Sequence, residues 1–264
     1  MKISIITPSY NQAQFIERTI ESVLSQEGDF ELDYRVIDGG STDGTVEILK
    51  SYGDRFAWTS EPDRGQVDAI NKGLSQVTGD IVSWLNSDDV LMPGALARIA
   101  QAFHDHPEAE WVHGRCPIID AHDREVRRWI NAYKHYRSRQ WSLESFLTEN
   151  FVSQMTVYWR KSAQDAMGLL DNRLRYAFDY DFFLRLAHRG APIYIEEPTA
   201  CFRWYETSKS GTGYVVQMTE TADLASRSPE ATAWTRARAQ VKKTAIIQIY
   251  RALGAFRGVL ARVR

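Results

Sequence analysis

Two adjacent carboxylates, Asp88 and Asp89, end the apolar run "IVSWLN" and precede a turn at Pro93-Gly94. Side by side they repel one another unless a positive charge lies between them and a ligand. A divalent Mg²⁺ or Mn²⁺ bridging a diphosphate meets that need, because hard cations take one or two carboxylates together with phosphate oxygens. The competing account has Asp89 capping the helix after Pro93 and leaves Asp88 in solvent. Two other apolar runs end in residues with similar potential. "ISIIT" leads into Pro8, Ser9 and Tyr10, and "DYRVID" ends at Asp38 before Gly39-Gly40. A tyrosine ring can stack on a base, and a carboxylate can accept the imide N–H of a uracil or thymine. Asp38 taken alone suits a turn or helix cap equally well.

These residues need a frame that brings strand ends together. The spacing predicts a strand over 3–7 stopped by Pro8, a helix on "FIERTIESVLSQ", a strand over 33–38 and a helix over 45–52. A helix on "GQVDAINKGLSQV", a strand over 81–86 and a helix on "PGALARIAQAFHDH" follow. Alternating strand and helix imply an α/β fold with parallel strands, whose ligands bind beyond the carboxyl ends of the strands. The second half is less regular. "EWVHG", "CPIID" and "TVYWR" read as strands, with "CPIID" pairing "REVRRWI" in a hairpin. "DYDFFLRLAHRG" reads as a helix, "PIYIEE" and "ACFRWY" as strands, and only helices are expected beyond residue 216.

The 264 residues are 44% hydrophobic, enough for one well-cored domain with an appendage. No stretch approaches twenty consecutive apolar residues, and the start does not read as a signal peptide. Cys116 and Cys201 have no metal-type spacing and read as reduced core thiols, so a cytoplasmic location is expected. Six tryptophans at 84, 111, 129, 141, 159 and 204 read mainly as core. Charge is unevenly placed. No acid follows Glu230, where eight Lys and Arg lie, while the first 230 residues carry 24 Lys and Arg against 34 Asp and Glu. So acidic a body makes nucleic acid an unsuitable partner.

"SIITPSYNQAQFIERTIESVLSQ", "VIDGGSTDGT", "SEPDRGQVDAINKGL" and "WLNSDDVLMPGAL" together resemble, in order and spacing, the successive blocks of a family 2 glycosyltransferase. The resemblance covers residues 1–105 strongly and 150–212 moderately. It implies a GT-A fold, with a mainly parallel central sheet flanked by helices, over 1–215, and leaves 216–264 as a basic helical extension. It also implies an inverting, metal-dependent enzyme that moves a sugar from a UDP- or dTDP-sugar to a hydroxyl of a glycan or lipid-linked glycan. By position, Thr7, Pro8 and Tyr10 match the first nucleotide-contacting strand end, Asp38 the carboxylate that reads the base, and Asp63 a further nucleotide-side residue. Asn86, Ser87 and Asp88 fall on the Asp-x-Asp motif, with Asp88 as the metal ligand. Asp179 matches the base that deprotonates the acceptor, with Asp181 as runner-up. Arg203 and Lys209 match a closing loop that meets phosphate.

The chain departs from the family pattern at several positions. Asn86 replaces the first acid of the metal motif, Tyr205 stands where a histidine is common, and Phe178 replaces a frequent glutamate. Ile70 occupies the place of an arginine, a cation that Arg64 or Lys72 is expected to supply. In the tail, Ile246, Ile249, Leu253, Phe256, Leu260 and Val263 recur at three- and four-residue spacings and form an apolar helical stripe. Such a helix suits an anionic inner membrane surface, a second copy of the chain, or the catalytic body. Two rival readings are a non-catalytic nucleotide-sugar-binding module and a sugar nucleotidyltransferase; "TPSYNQAQ" lacks the glycine-rich basic phosphate loop the latter needs.

Overall fold

A computed structural model of the chain describes the backbone of residues 1–205 and 213–262, and the side chains of these up to Gln248 except Tyr214. Lys209 and the closing-loop residues around it lie outside the described residues, as do the stripe side chains beyond Gln248.

The N-terminal half follows the predicted alternation. β1 (Lys2–Ser9), α1 (Ile16–Leu24), β2 (Glu31–Asp38) and α2 (Thr45–Ser51) lead to β3 (Ala57–Ser60), then α3 (Gln66–Leu74), β4 (Ile81–Trp84), β5 (Val90–Leu91) and α4 (Ala95–Asp105). β3 is short, half polar and mostly exposed, so no apolar pattern marks it in the sequence. β1 also runs through Pro8, which pairs in register with Ile37. The β4 ladder on the other side of β1 ends at Ile6, so a missing N–H near the strand end is tolerated.

Beyond α4 come β6 (Trp111–Arg115), β7 (Ile118–Ile119) and β8 (Glu125–Val126), the last two an antiparallel hairpin. The stretch 128–139, its first three residues read with the hairpin, is instead a helix, α5 (Arg128–Arg139). α6 (Leu143–Thr148) opens on a capping box between Ser142 and Ser145. β9 (Tyr158–Arg160), α7 (Lys161–Met167), α8 (Phe178–Arg189), β10 (Ile193–Pro198) and β11 (Ala200–Arg203) complete the body. α9 (Tyr214–Arg227) and α10 (Ala233–Arg262) end the described chain.

Seven strands form the main sheet in the order β10-β6-β9-β4-β1-β2-β3. β1, β2, β3 and β4 are mutually parallel, as are β6 and β10, and β9 runs against its two neighbours. A four-stranded sheet, β5-β11-β7-β8, stands beside it. This is the GT-A arrangement. Apolar side chains fill both faces of the main sheet. On one, Trp84, Trp159, Phe182 and Phe183 interlock, with Trp84 stacked on Phe183 at 6.1 Å and edge-on to Trp159 at 5.5 Å. Each such side chain removed from water contributes roughly 1.5–3 kcal/mol. On the same face, α3 lies against β1 because Gly73 carries no side chain; a Cβ there would stand 2.5 Å from Ile6 Cγ2. This close approach brings the start of α3 to the carboxyl ends of β1 and β2.

The terminal helices pack on the body. Glu220 of α9 accepts the backbone N–H groups of Tyr176 and Ala177, each at 2.8 Å, at the entry to α8. Thr235 and Ala239 of α10 are buried, and Lys242 pairs with Glu149. Among the described residues no helix is long and apolar enough to cross a membrane.

Candidate active site

The carboxyl ends of β1, β2 and β4 open on a single cavity of about 1800 Å³. Pro8, Ser9 and Tyr10 line it from β1, Gly39 and Gly40 from beyond β2, and Asn86, Ser87 and Asp88 from beyond β4. Asp179, in the first turn of α8, lines the same cavity. The fold thus brings Asp88 and Asp179, 91 positions apart in the chain, to one space.

The paired carboxylates divide. Asp89 is fully buried and accepts the Arg203 backbone N–H at 2.8 Å and the Asn86 amide at 3.1 Å. Burial, reinforced by the charge of Asp88, pushes its pKa well up. It therefore neither caps the helix after Pro93 nor lines the cavity; it ties β11 to the β4 tip. Asp88 is half-buried and accepts the Tyr205 hydroxyl at 2.9 Å through Oδ2. Burial raises its pKa too, and the tyrosine bond opposes that rise. Asn86 donates to Asp89 and to Gln154 and accepts from Gln66 at 2.8 Å. It is the centre of an amide network that fixes the tip of β4.

Asp38 stands elsewhere than the motif implied. It is fully buried, with Ser9 and Ser60 beside it in register. Its oxygens accept the backbone N–H groups of Gly40 and Ser41 and the hydroxyls of Ser41 and Ser60, at 2.5 to 3.1 Å. It shapes the 39–41 loop and does not line the cavity. Asp63 does line it, half-buried, with Oδ1 accepting the Gly65 N–H at 2.7 Å. Its Oδ2 lies 2.6 Å from where a Cβ on Gly39 would stand, so glycine at 39 leaves room for that carboxylate.

Four other expected residues are engaged away from the cavity. Thr7 is buried, its hydroxyl accepting that of Tyr34 at 3.0 Å. Lys72 is bonded to Glu61 at 2.8 Å. Arg203 is fully buried, its guanidinium donating to the Asp88 and Asp120 carbonyls at 2.8 Å, pairing with Asp123 at 2.5 Å and covering the Phe15 ring. It is a brace between β11 and two loops, not an arm reaching for phosphate. Asp181 pairs with Arg185 at 3.0 Å one turn along α8 and does not line the cavity either. Arg64 does line the cavity rim, paired with Asp68 at 2.7 Å.

Other lining residues had no site role assigned from the sequence. Ser9 is buried with a hydroxyl that has no partner among the described groups. Arg127, in the left-handed region at φ 53°, lays its guanidinium 3.7 Å from the Trp204 ring. Trp129, exposed at 69%, and Tyr133 face the cavity from α5, so Trp129 and Trp204 are not core. Lys134, Lys242 and Lys243 line it as well. Only the absence of acids in α5 and in the tail hinted at them.

A mixed α/β sheet with a deep cleft at its parallel strand ends, carrying one carboxylate at the β4 tip and another at the start of α8, defines a glycosyltransferase of the GT-A class. The sequence profile of Glycosyl transferase family 2 matches residues 4–166, and the chain belongs to that family. An uncharacterized glycosyltransferase of Mycobacterium tuberculosis is 30% identical over 196 residues, 73% of this chain and 71% of that protein. A PGL/p-HBAD biosynthesis glycosyltransferase of Mycobacterium bovis is 30% identical over 188 residues, 69% of this chain and 68% of its own length. Among solved structures, S. aureus TarS 1-349 in complex with UDP-GlcNAc superposes with a TM-score of 0.65 at 20% identity, over 89% of this chain and 69% of that one. The mannosyltransferase PcManGT of Pyrobaculum calidifontis, in complex with GDP-Man and Mn²⁺, gives 0.64 at 19% identity, over 98% and 80%. At such identity these two likenesses show the fold.

Proposed function

We propose that the chain is an inverting transferase that takes a sugar from a UDP-sugar, or a dTDP-sugar, and passes it to a hydroxyl of a glycan or lipid-linked glycan. The observation that carries this reading is the shared cavity of Asp88 and Asp179. In it Tyr10, 62% exposed, offers a ring to the base, and Asp63, rather than Asp38, offers a carboxylate to the imide N–H. The buried Ser9 hydroxyl supplies a further polar contact that a nucleotide would satisfy.

A divalent cation fits the site through one protein carboxylate. Among the described residues no three acidic, histidine or cysteine side chains cluster, so Asp88 would hold the ion, which would take its other ligands from the diphosphate and water. Bound there, such a cation supplies charge neutralisation to the departing diphosphate. Asp179 accepts the proton of the acceptor hydroxyl as that oxygen attacks the anomeric carbon from the face opposite the diphosphate. Incubating the full chain with a panel of sugar nucleotides and Mn²⁺ tests the reading. Slow release of UDP or dTDP from one donor is expected; no nucleotide binding with or without metal would remove it.

We place the enzyme on the inner face of an anionic membrane. α5 and α10 contain no acid, and Trp129, Tyr136 and Trp234 are exposed on them. Aromatic rings beside lysines and arginines suit a headgroup layer. Co-sedimentation with vesicles containing phosphatidylglycerol, abolished by high salt, is expected. Dimerisation in its place would assign the same faces to a second copy.

A further inference from the structure

The cavity is electrostatically two-sided. The walls built from residues up to Asp88 carry Asp63, Asp68 and Asp88 against Arg64. Those from Arg127 onward carry six cations against Glu149 and Asp179. Three of those cations, Lys134 on α5, Arg175 before α8 and Lys243 on α10, have no carboxylate within ion-pair distance among the described residues, although Lys134 and Lys243 are half-buried. Lys134 is held by the Ser153 hydroxyl at 3.1 Å, and burial lowers its pKa. Glu149 is already taken: it accepts the Tyr133 hydroxyl at 2.6 Å and pairs with Lys242. Asp179 and Glu149 act on Lys134 from beyond ion-pair distance, and six cations against two carboxylates leave this wall with an excess of positive charge that an anionic ligand would balance. Arg127 is a different case, because its guanidinium is stacked on the Trp204 ring.

We propose that Lys134, Arg175 and Lys243 form an anion subsite for the acceptor, and that the acceptor bears a phosphate group close to the hydroxyl that Asp179 deprotonates. This rests on the transferase reading above and adds the chemical class of the second substrate. The three residues come from separate elements that converge only in the tertiary structure. Asp179 lines the same cavity and its charge acts on Lys134, so a phosphate held by Lys134 would lie on the side of the base.

The test uses the full chain saturated with UDP and Mn²⁺, so that donor-side cations are already occupied. Binding of glucose 1-phosphate is compared with that of methyl glucoside, and vesicles of phosphatidylcholine with phosphatidic acid are compared with phosphatidylcholine vesicles given the same negative charge by oleate. A preference of roughly tenfold or more for a phosphate-bearing probe is expected, and Lys134→Met with Lys243→Met should abolish it. Preference among the soluble probes would mark a soluble phosphorylated acceptor, and preference confined to vesicles a lipid-borne phosphate; either supports the subsite. Equal binding of phosphate-bearing and phosphate-free probes would overturn it. So would a weaker UDP affinity in the double variant, since the lysines would then serve the donor; unchanged UDP affinity also shows that the variant is folded. If neither nucleotide nor probe binds the parent chain, it is the transferase reading that has failed.

Discussion

Replacing Gly39 by alanine tests which carboxylate reads the base. The backbone at 39 lies outside the left-handed region, so alanine is conformationally admissible there. Its methyl group would stand 2.6 Å from Asp63 Oδ2 and 3.1 Å from Cγ, where ordinary contact begins at 3.4 Å. Asp63 must therefore withdraw by about 0.8 Å. A withdrawal of that size stretches a hydrogen bond of about 2.8 Å beyond 3.5 Å, where little of it survives. A hydrogen bond to a charged group is worth about 1.5–3 kcal/mol, so UDP affinity should fall roughly 10- to 150-fold. Stability should change by less than about 1 kcal/mol, because what moves is the end of a half-buried side chain. Calorimetric titration of UDP and CDP measures both effects. Cytosine has no imide N–H, so the parent should prefer UDP and Gly39→Ala should lose that preference. Asp63→Ala should lose it equally, and the double variant should add nothing further. UDP affinity within about twofold of the parent in Gly39→Ala would refute the assignment of Asp63.

Asp88→Ala should abolish metal-dependent UDP binding in the same titration; unchanged affinity would take the cation elsewhere. Asp179→Asn should leave donor binding intact and cut transfer by roughly 10²-fold or more, whereas near-normal turnover would shift the base role. Because only ionised Asp88 binds a cation and burial raises its pKa, metal-assisted binding should fail on acidification at a pH above the ordinary carboxylate value of 3.8. Tyr205→Phe removes the hydroxyl that favours the ionised form and should move that midpoint further up; a downward move would show that the hydroxyl does not act on Asp88. Arg203→Leu removes the buried hydrogen bonds to the Asp88 and Asp120 carbonyls, while the exposed Asp123 keeps Arg18 as a partner, so stability should fall by about 1–3 kcal/mol in denaturant unfolding. A folded, stable variant with weakened UDP affinity alone would return Arg203 to phosphate binding.

The alternating apolar runs and their capped turns announced the parallel strands and crossover helices. The acids after "IVSWLN" and at the head of "DYDFFLRLAHRG" announced both carboxylates that now share the cavity. What a side chain does at a strand tip, however, depends on neighbours distant in the chain. Asp38 and Asp63 are both acids beside turns, and only the contacts with Gly40, Ser41 and Ser60 bury the first while the second is left half-buried on the cavity. Asp88 and Asp89 are adjacent and identical in type, yet β11 arrives from residue 200 onward to cover Asp89 and leave Asp88 at the cavity. Arg203 reads as a loop cation until Asp120, Asp123 and Phe15 close around it. The basic wall had no local motif, because Lys134, Arg175 and Lys243 lie on three segments with no common pattern. Local composition and periodicity settle elements and their order, since both are short-range properties of the chain. Burial and charge pairing are long-range ones, and the tertiary structure alone decided them.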